Sequence, residues 1–560
     1  MRKTKKWLAA LLAAALLVST AACGSPSSSG SSSESSKGSS SASSAVSQEG
    51  SEPSTADVSD AEPGWKQHAD EPITLQWYVN YSWFPRKWEG SKATEKYIKD
   101  TGINVELIIP AGNEAEKLNT MIASDTLPDL ITLGCTDTQV AEMIDAEMVL
   151  PLNKLADEHD PYFYKVANQE RLDWYTQDDG NVYGYPNASY SFSDYEKYGN
   201  IPSNQVYMVR KDMYEALGKP DMTTPEGFVN TLVAAKEKFP DVDGSPLIPL
   251  GTHEFGDTGC WALESYLQNF LAIPYEVDGK WYDRYTDPEY ITWLKALREC
   301  GEKGLLANDI FVDKRSQMEE KIVQGRYFSM LYQRTDMATQ QKIVYENDPE
   351  KIYIAIDGPK NSKGDDYTLP GGSIQGWTLT MIGANTEHPD RCIQFFSYFM
   401  EPETQMTMHF GPEGVGYTMV DGKPQWIEEA KELSDKDTDA FENQINGGMW
   451  MLLDYAMQLE WSDPPKDPLG QLEEWTYDYA FNPSVYNITT PAADSEEMTI
   501  KTNIEALWGK TLPKLLLAPT EEEFDQIFEQ WKKDRDAAGF DKWMAYQQAQ
   551  YEKNKEKLGL

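Results

Sequence analysis

From Ile73 to Leu133 the chain reads strand, helix, strand, helix, strand. Ile73-Thr74-Leu75-Gln76-Trp77-Tyr78-Val79 is a buried first strand. Ser91 to Asp100 is a helix closed at Thr101-Gly102, and Ile103 to Ile109 alternates as a second strand. Glu114 to Ser124 places Leu118, Met121 and Ile122 on one helix face, and Leu127 to Leu133 turns into a third strand. A helix between successive strands forces a crossover, so the expected class is α/β with parallel strands and right-handed connections. Ligands of such open sheets sit at the carboxyl ends of strands. Trp77, Asn80 and Trp83 lie at such an end.

The pattern recurs downstream. Gly180 to Pro186 reads as a hairpin leading to a crossover, and Val206 to Val209 as a strand before an Arg210–Leu217 helix. Thr224 caps a helix with Pro225 at its first position. Helices are expected to dominate 261–345, with later strands at Ile352–Ile356 and Trp377–Ile382 and a helical tail from Thr520. At 560 residues the chain exceeds one core, which implies two or more lobes.

The first residues set the compartment. Arg2, Lys3, Lys5 and Lys6 precede an apolar run, Trp7 to Val18, too short to span a bilayer comfortably. Small residues lead to Cys23, so 1–22 reads as a secretory signal. Ala21-Ala22-Cys23-Gly24 resembles a bacterial lipobox, with Thr20 where Leu is usual, and the resemblance implies a lipid on Cys23. Residues 24–55 hold 17 Ser in 32 positions and cannot form a core, so 23–65 is expected to be a flexible tether. The net charge of −41 argues against nucleic acid and against a basic membrane-binding face. A mean hydropathy of −0.59 excludes a polytopic membrane protein. Cys135, Cys260, Cys300 and Cys392 match no metal or redox spacing, so buried thiols are favoured over disulfides.

Several segments together resemble type 1 extracellular solute-binding proteins, the large lipoprotein kind of Gram-positive bacteria. They are Thr101 to Val105, Met121 to Leu130, Val182 to Pro186, Val209 to Met213 with Thr224 to Phe228, and His388-Pro389-Asp390 through Phe410 to Thr418. The resemblance implies a periplasmic-binding-protein-like fold: two lobes with parallel or mixed sheets flanked by helices, a hinge, and a ligand cleft between them. Lobe 1 is expected over 66–188 and 372–415, and lobe 2 over 189–371 and 416–560. It further implies delivery of a solute to an ABC-type permease, anchoring by lipid at the extracellular face of the membrane, a monomer, no cofactor and no catalysis. Some relatives carry a calcium loop after the Glu226 helix; here Asp241-Val242-Asp243-Gly244-Ser245-Pro246 lacks the downstream acidic ligands, so no metal is expected.

The residues themselves favour a neutral oligosaccharide. Sugars offer apolar C–H faces to aromatic rings and hydroxyl edges to polar groups. Trp77, Trp83, Tyr183, Trp261 and Trp377 fall outside periodic core patterns, and Trp377 follows Pro370-Gly371-Gly372-Ser373, where glycine permits a close ligand approach. Asn80, Arg210, Glu413 and Tyr417 complete the expected ligand set; Arg210 could equally pair with Asp212, and Glu413 and Tyr417 enter through the family motif. A peptide binder, a sensor partner and, last, a surface glycoside hydrolase are the competing readings.

Overall fold

The computed structural model describes residues 61–84, 87–199, 201–462 and 466–560. The signal, Cys23 and most of the tether lie outside these residues. Two principal sheets are built from β1 (Ile73–Val79), β2 (Ile103–Ile108), β3 (Leu130–Gly134), β4 (Gly184–Pro186), β5 (Gln205–Arg210), β6 (Ile248–Gly251), β7 (Tyr327–Gln333), β8 (Tyr353–Ala355) and β9 (Thr378–Ile382). The helices that matter below are α1 (Lys92–Thr101), α2 (Glu114–Ala123), α3 (Pro225–Lys238), α4 (Pro288–Glu302), α5 (Pro389–Met400), α6 (Glu496–Leu516), α7 (Glu521–Ala537) and α8 (Phe540–Leu558).

The first sheet has the order β2-β1-β3-β9-β4. β1 runs parallel to β2 and β3, as the helical crossovers require. The first crossover helix, α1, is started by the Ser91 hydroxyl, which accepts from the Thr94 amide, and stopped by Gly102 in the left-handed region. β9 is antiparallel to β3, and β4 to β9. The sheet is therefore mixed: β9 re-enters at the edge where β1 and β3 leave, so it must run back across it. Both faces are covered. Trp77 and Val79 point into one core with Phe395 and Phe399 of α5; Tyr78, Ile131 and Leu133 point into another with Leu118 and Met121 of α2.

The second sheet has the order β8-β5-β7-β6. β5 is antiparallel to both β7 and β8, while β7 is parallel to β6. β7 falls inside the stretch read from sequence as helical; its buried Tyr-Phe-Ser-Met-Leu-Tyr run has no period-2 polarity because both its faces are covered. Helices α3, α4, α6 and α7 bury Phe228, Trp293, Leu512, Leu515, Phe524, Phe528 and Trp531 against this sheet.

The chain passes between the sheets three times: from β4 to β5, from β8 to β9, and between Leu453, in the core of the first sheet, and Leu472, in the core of the second. The second crossing pairs in parallel at Leu369-Pro370 with Ala480-Phe481, which lies beyond the third. Tyr190 of the first crossing donates its amide to the Ser373 carbonyl (2.9 Å). The buried Arg171 guanidinium donates to the Ser189 carbonyl (2.8 Å) and Asp194 (3.1 Å) of the first crossing and to Asp454 at the start of the third. Gly371 and Gly372 serve this junction rather than a ligand: a Cβ on Gly372 would lie 2.0 Å from the Tyr190 ring, and one on Gly371 2.4 Å from the Tyr195 hydroxyl. Met449, Met451 and Leu453, expected with lobe 2, pack into the core of the first sheet.

Candidate ligand-binding site

β1 and β3 end, and β9 begins, at the edge that receives the crossings. There the chain bends sharply, with the Asn80 amide extending the ladder to the Thr132 carbonyl (2.8 Å) and the Phe84 amide closing on Tyr81 (3.0 Å). The bend lifts Trp83 off the sheet. Trp377 arrives from the second crossing and is tied to the Asn187 carbonyl through its amide and to the Cys135 amide through its carbonyl. Trp450 arrives from a short turn, Trp450–Leu452, ahead of the third crossing.

The three indoles lie nearly parallel. Trp83 and Trp377 are 6.0 Å apart at 12°, Trp83 and Trp450 5.7 Å at 13°, and Trp377 and Trp450 5.7 Å at 16°. Tyr81 tilts against Trp83 and Trp377, and Phe84 braces Trp450 edge-on. Trp83 is 50% and Trp377 36% exposed, unusual for indoles that could bury themselves. Among the described residues, the carboxylates of Asp137 and Glu114 stand beside this surface, close to Tyr81. Burial pushes the Asp137 carboxyl up, against the pull of the Gly134 amide and the Asn80 side chain. The Ser82 hydroxyl and amide, both donating to Glu114, hold its carboxyl low.

A second aromatic surface stands at the matching edge of the other sheet, where β6 and β7 end. Trp261 is 60% exposed. Its ring lies 5.8 Å from His253, which in turn lies 5.1 Å from Tyr332. His253 Nε2 faces Asp336 (3.5 Å), which also pairs with Arg315 (3.2 Å).

The other expected ligand residues are elsewhere or inaccessible. Trp77 is fully buried; its indole donates to Thr132 Oγ1 (2.8 Å) and its ring meets Trp88 and Phe395 edge-on. A strand covered on both faces leaves no open side for a ring, whatever its distance from the strand end. Asn80 lies beneath the surface and accepts from the Tyr78 hydroxyl (2.8 Å). Arg210 sits at the far edge of the second sheet, because β5 runs against β6 and β7, and it pairs with Asp212 (2.8 Å). Tyr183 is half-buried and donates to Asp179 (2.7 Å). Tyr417 is buried against Phe410, and burial pushes its hydroxyl up to about 12. Glu413 is exposed and forms an isolated backbone bridge with Tyr417, ahead of the 417–426 hairpin. The sequence expectations did not include Trp450, or His253 and the buried Tyr332, which pack with these aromatics.

Among the described residues, no three His, Cys, Asp or Glu side chains gather as metal ligands would. Asp241-Val242 and Ser245-Pro246 form a tight hairpin turned by Asp243 and Gly244, both at positive φ. Cys135, Cys260, Cys300 and Cys392 are free thiols.

Residues 92–417, more than half of the chain, match the family of bacterial extracellular solute-binding proteins. The fructooligosaccharide ABC transporter substrate-binding protein FusA of Streptococcus pneumoniae serotype 4 is 25% identical over 223 residues, 38% of this chain. That match spans 41% of the relative's own length. Among solved structures, FusA in complex with kestose superposes with a TM-score of 0.62 at 15% identity, over 86% of this chain and 99% of that one. Alginate-binding protein AlgQ2 without calcium ion gives 0.61 at 18%, over 86% and 98%. An HMO-binding ABC-transporter-associated solute-binding protein from Bifidobacterium longum infantis gives 0.62 at 14%, over 86% and 99%. At these identities the structural likeness speaks for the fold, which is the two-lobed one of periplasmic-binding proteins.

Proposed function

The chain belongs to the bacterial extracellular solute-binding protein family, and from that premise we propose that it captures a neutral oligosaccharide and passes it to an ABC-type permease. The observation that carries the substrate class is the cluster of near-parallel indoles Trp83, Trp377 and Trp450, with Trp83 and Trp377 exposed. Flat rings held in register cover the C–H faces of successive sugar units, and they have no reason to face water otherwise. Trp261 with His253 supplies the second half of the site, and closure of the lobes about the three crossings brings the halves onto the ligand. Neutrality follows from the charges: carboxylates border the first surface, and Arg315 beside the second is already turned to Asp336.

In this reading the lobes divide as 66–188 with 372–415, and 189–371 with 416–560, except that 449–453 joins lobe 1. The protein acts as a monomer held outside the cell by lipid on Cys23 and the serine-rich tether.

A thermal-shift screen tests the substrate. Neutral oligosaccharides, kestose included, are set against peptides and uronate oligomers. A ligand at 100 times its Kd adds about 2.7 kcal/mol of stability. A shift with neutral glycans, lost in Trp377→Ala, is expected. A shift with peptides and none with glycans overturns the substrate class.

A further inference from the structure

The second aromatic surface raises a mechanical question: what keeps an indole standing in water at the tip of a loop? Trp261 begins a short turn, Trp261–Leu263, and the residues before it double back so that Gly256 and Gly259 exchange amide bonds (2.8 and 3.3 Å). Directly beneath lies Glu264, 9% exposed. One of its carboxyl oxygens accepts from the Cys260 amide (2.5 Å), the residue before Trp261, and the other accepts from the Tyr285 hydroxyl (3.2 Å). Gly259 fits against this group only because it lacks a side chain: a Cβ there would lie 1.9 Å from Glu264 Oε1, and its φ is +129°.

We infer that Glu264 is the positioning residue of this surface: its carboxylate grips the backbone at Cys260 and so sets the pose of Trp261, and its protonated form lets the turn go. The inference rests on the reading of Trp261 as a ligand surface. The geometry is one-sided, since the Cys260 amide, the Tyr285 hydroxyl and the Trp508 indole that face Glu264 are all donors and suit the ionised form. The charge is not neutralised. Around it stand Tyr285 on its turn, Tyr290 of α4, Glu505 of α6 and Cys260 on its own loop, while nearby Arg284 is turned to Asn269 (2.6 Å). Burial above all, with Glu505 adding in the same direction, therefore raises the Glu264 carboxyl to about 7, against the pull of the Cys260 amide, Tyr285 and Trp508. A carboxylate held at this disadvantage beside an exposed ring marks a functional position.

The test uses the unliganded full chain. Trp261 fluorescence, obtained by subtracting a Trp261→Phe variant, is followed from about pH 5.5 to 8.5, together with amide exchange over 253–263. One transition near pH 7 is expected, with Cys260-region exchange rising roughly tenfold on the acid side as a charge-assisted bond is lost. Glu264→Gln abolishes the transition, and Tyr285→Phe, which removes a donor to the ionised form, moves its midpoint upward. Should Glu264→Gln not fold, an unmoved midpoint in Tyr285→Phe overturns the inference. So does a transition that survives Glu264→Gln and vanishes in His253→Gln, the ring that packs against Trp261. Because no ligand is present, failure here leaves the oligosaccharide screen untouched, and failure of the screen leaves this result standing.

Discussion

Trp83, Trp377 and Trp450 come from three separate passages of the chain and hold one another in place, whereas Trp261 stands on one loop and is held from below. The first arrangement is cooperative: each near-parallel pair adds roughly 0.5–1.5 kcal/mol beyond its buried area, and each ring is braced by two others. The second depends on a single buried carboxylate that destabilises the fold in order to orient a side chain. A preformed platform thus faces an adjustable contact. The difference suggests that the first surface supplies affinity and the second adapts to what lies on it.

That division can be broken most directly at Trp377. Its replacement by Ala should cost about 2–4 kcal/mol in binding of a responding oligosaccharide, as for a central aromatic anchor, with little change in melting temperature. Titration calorimetry showing less than a fivefold loss would place the anchor elsewhere. The next largest effect is on stability. Glu264 has a folded pKa raised to about 7 from the ordinary carboxyl value of 4.5. The folded state therefore binds the proton more tightly, and the stability associated with it is complete below about 4.5 and lost as pH rises through 7. Glu264→Gln should accordingly be more stable than the parent above pH 7, by on the order of 3 kcal/mol, with the advantage gone near pH 4.5. Melting curves across that window check both sign and size.

Trp261→Ala should cost about 1 kcal/mol in affinity, clearly less than Trp377→Ala, since one exposed ring loses one stacking face. Equal losses at the two positions would erase the distinction. The smallest effect is expected for Arg315→Gln. Arg315 is 46% exposed and paired with Asp336, so a neutral ligand should feel a change of under about 0.5 kcal/mol. A large loss would point to an anionic ligand instead.

The fold was legible because strand and helix periodicities survive in the first 70 residues of the folded part, and one crossover unit there dictates the rest of the sheet. β7 escaped because a strand buried on both faces carries no alternation, and its residues suit a helix equally well. Of the proposed surface, Trp83 and Trp377 were legible because each lies beside a recognisable strand, four residues after β1 and directly before β9. Trp450 was not, since Gly447-Gly448-Met449-Trp450 has no period and its partners are 73 and 367 positions away. Trp77 was misjudged because proximity to a strand end says nothing about which faces are covered. Arg210 was misjudged because the direction of β5, and hence which edge it ends on, is set by pairing with strands more than a hundred residues downstream.

The triple stack has an optical consequence. Three indoles with centroids no more than 6.0 Å apart share their electronic transitions, so they behave as one coupled chromophore rather than three. Its circular-dichroism couplet would exist only when all three passages of the chain are home, and a molecule settling on the rings would disturb it. The protein thus carries its own label at the place where occupancy matters most.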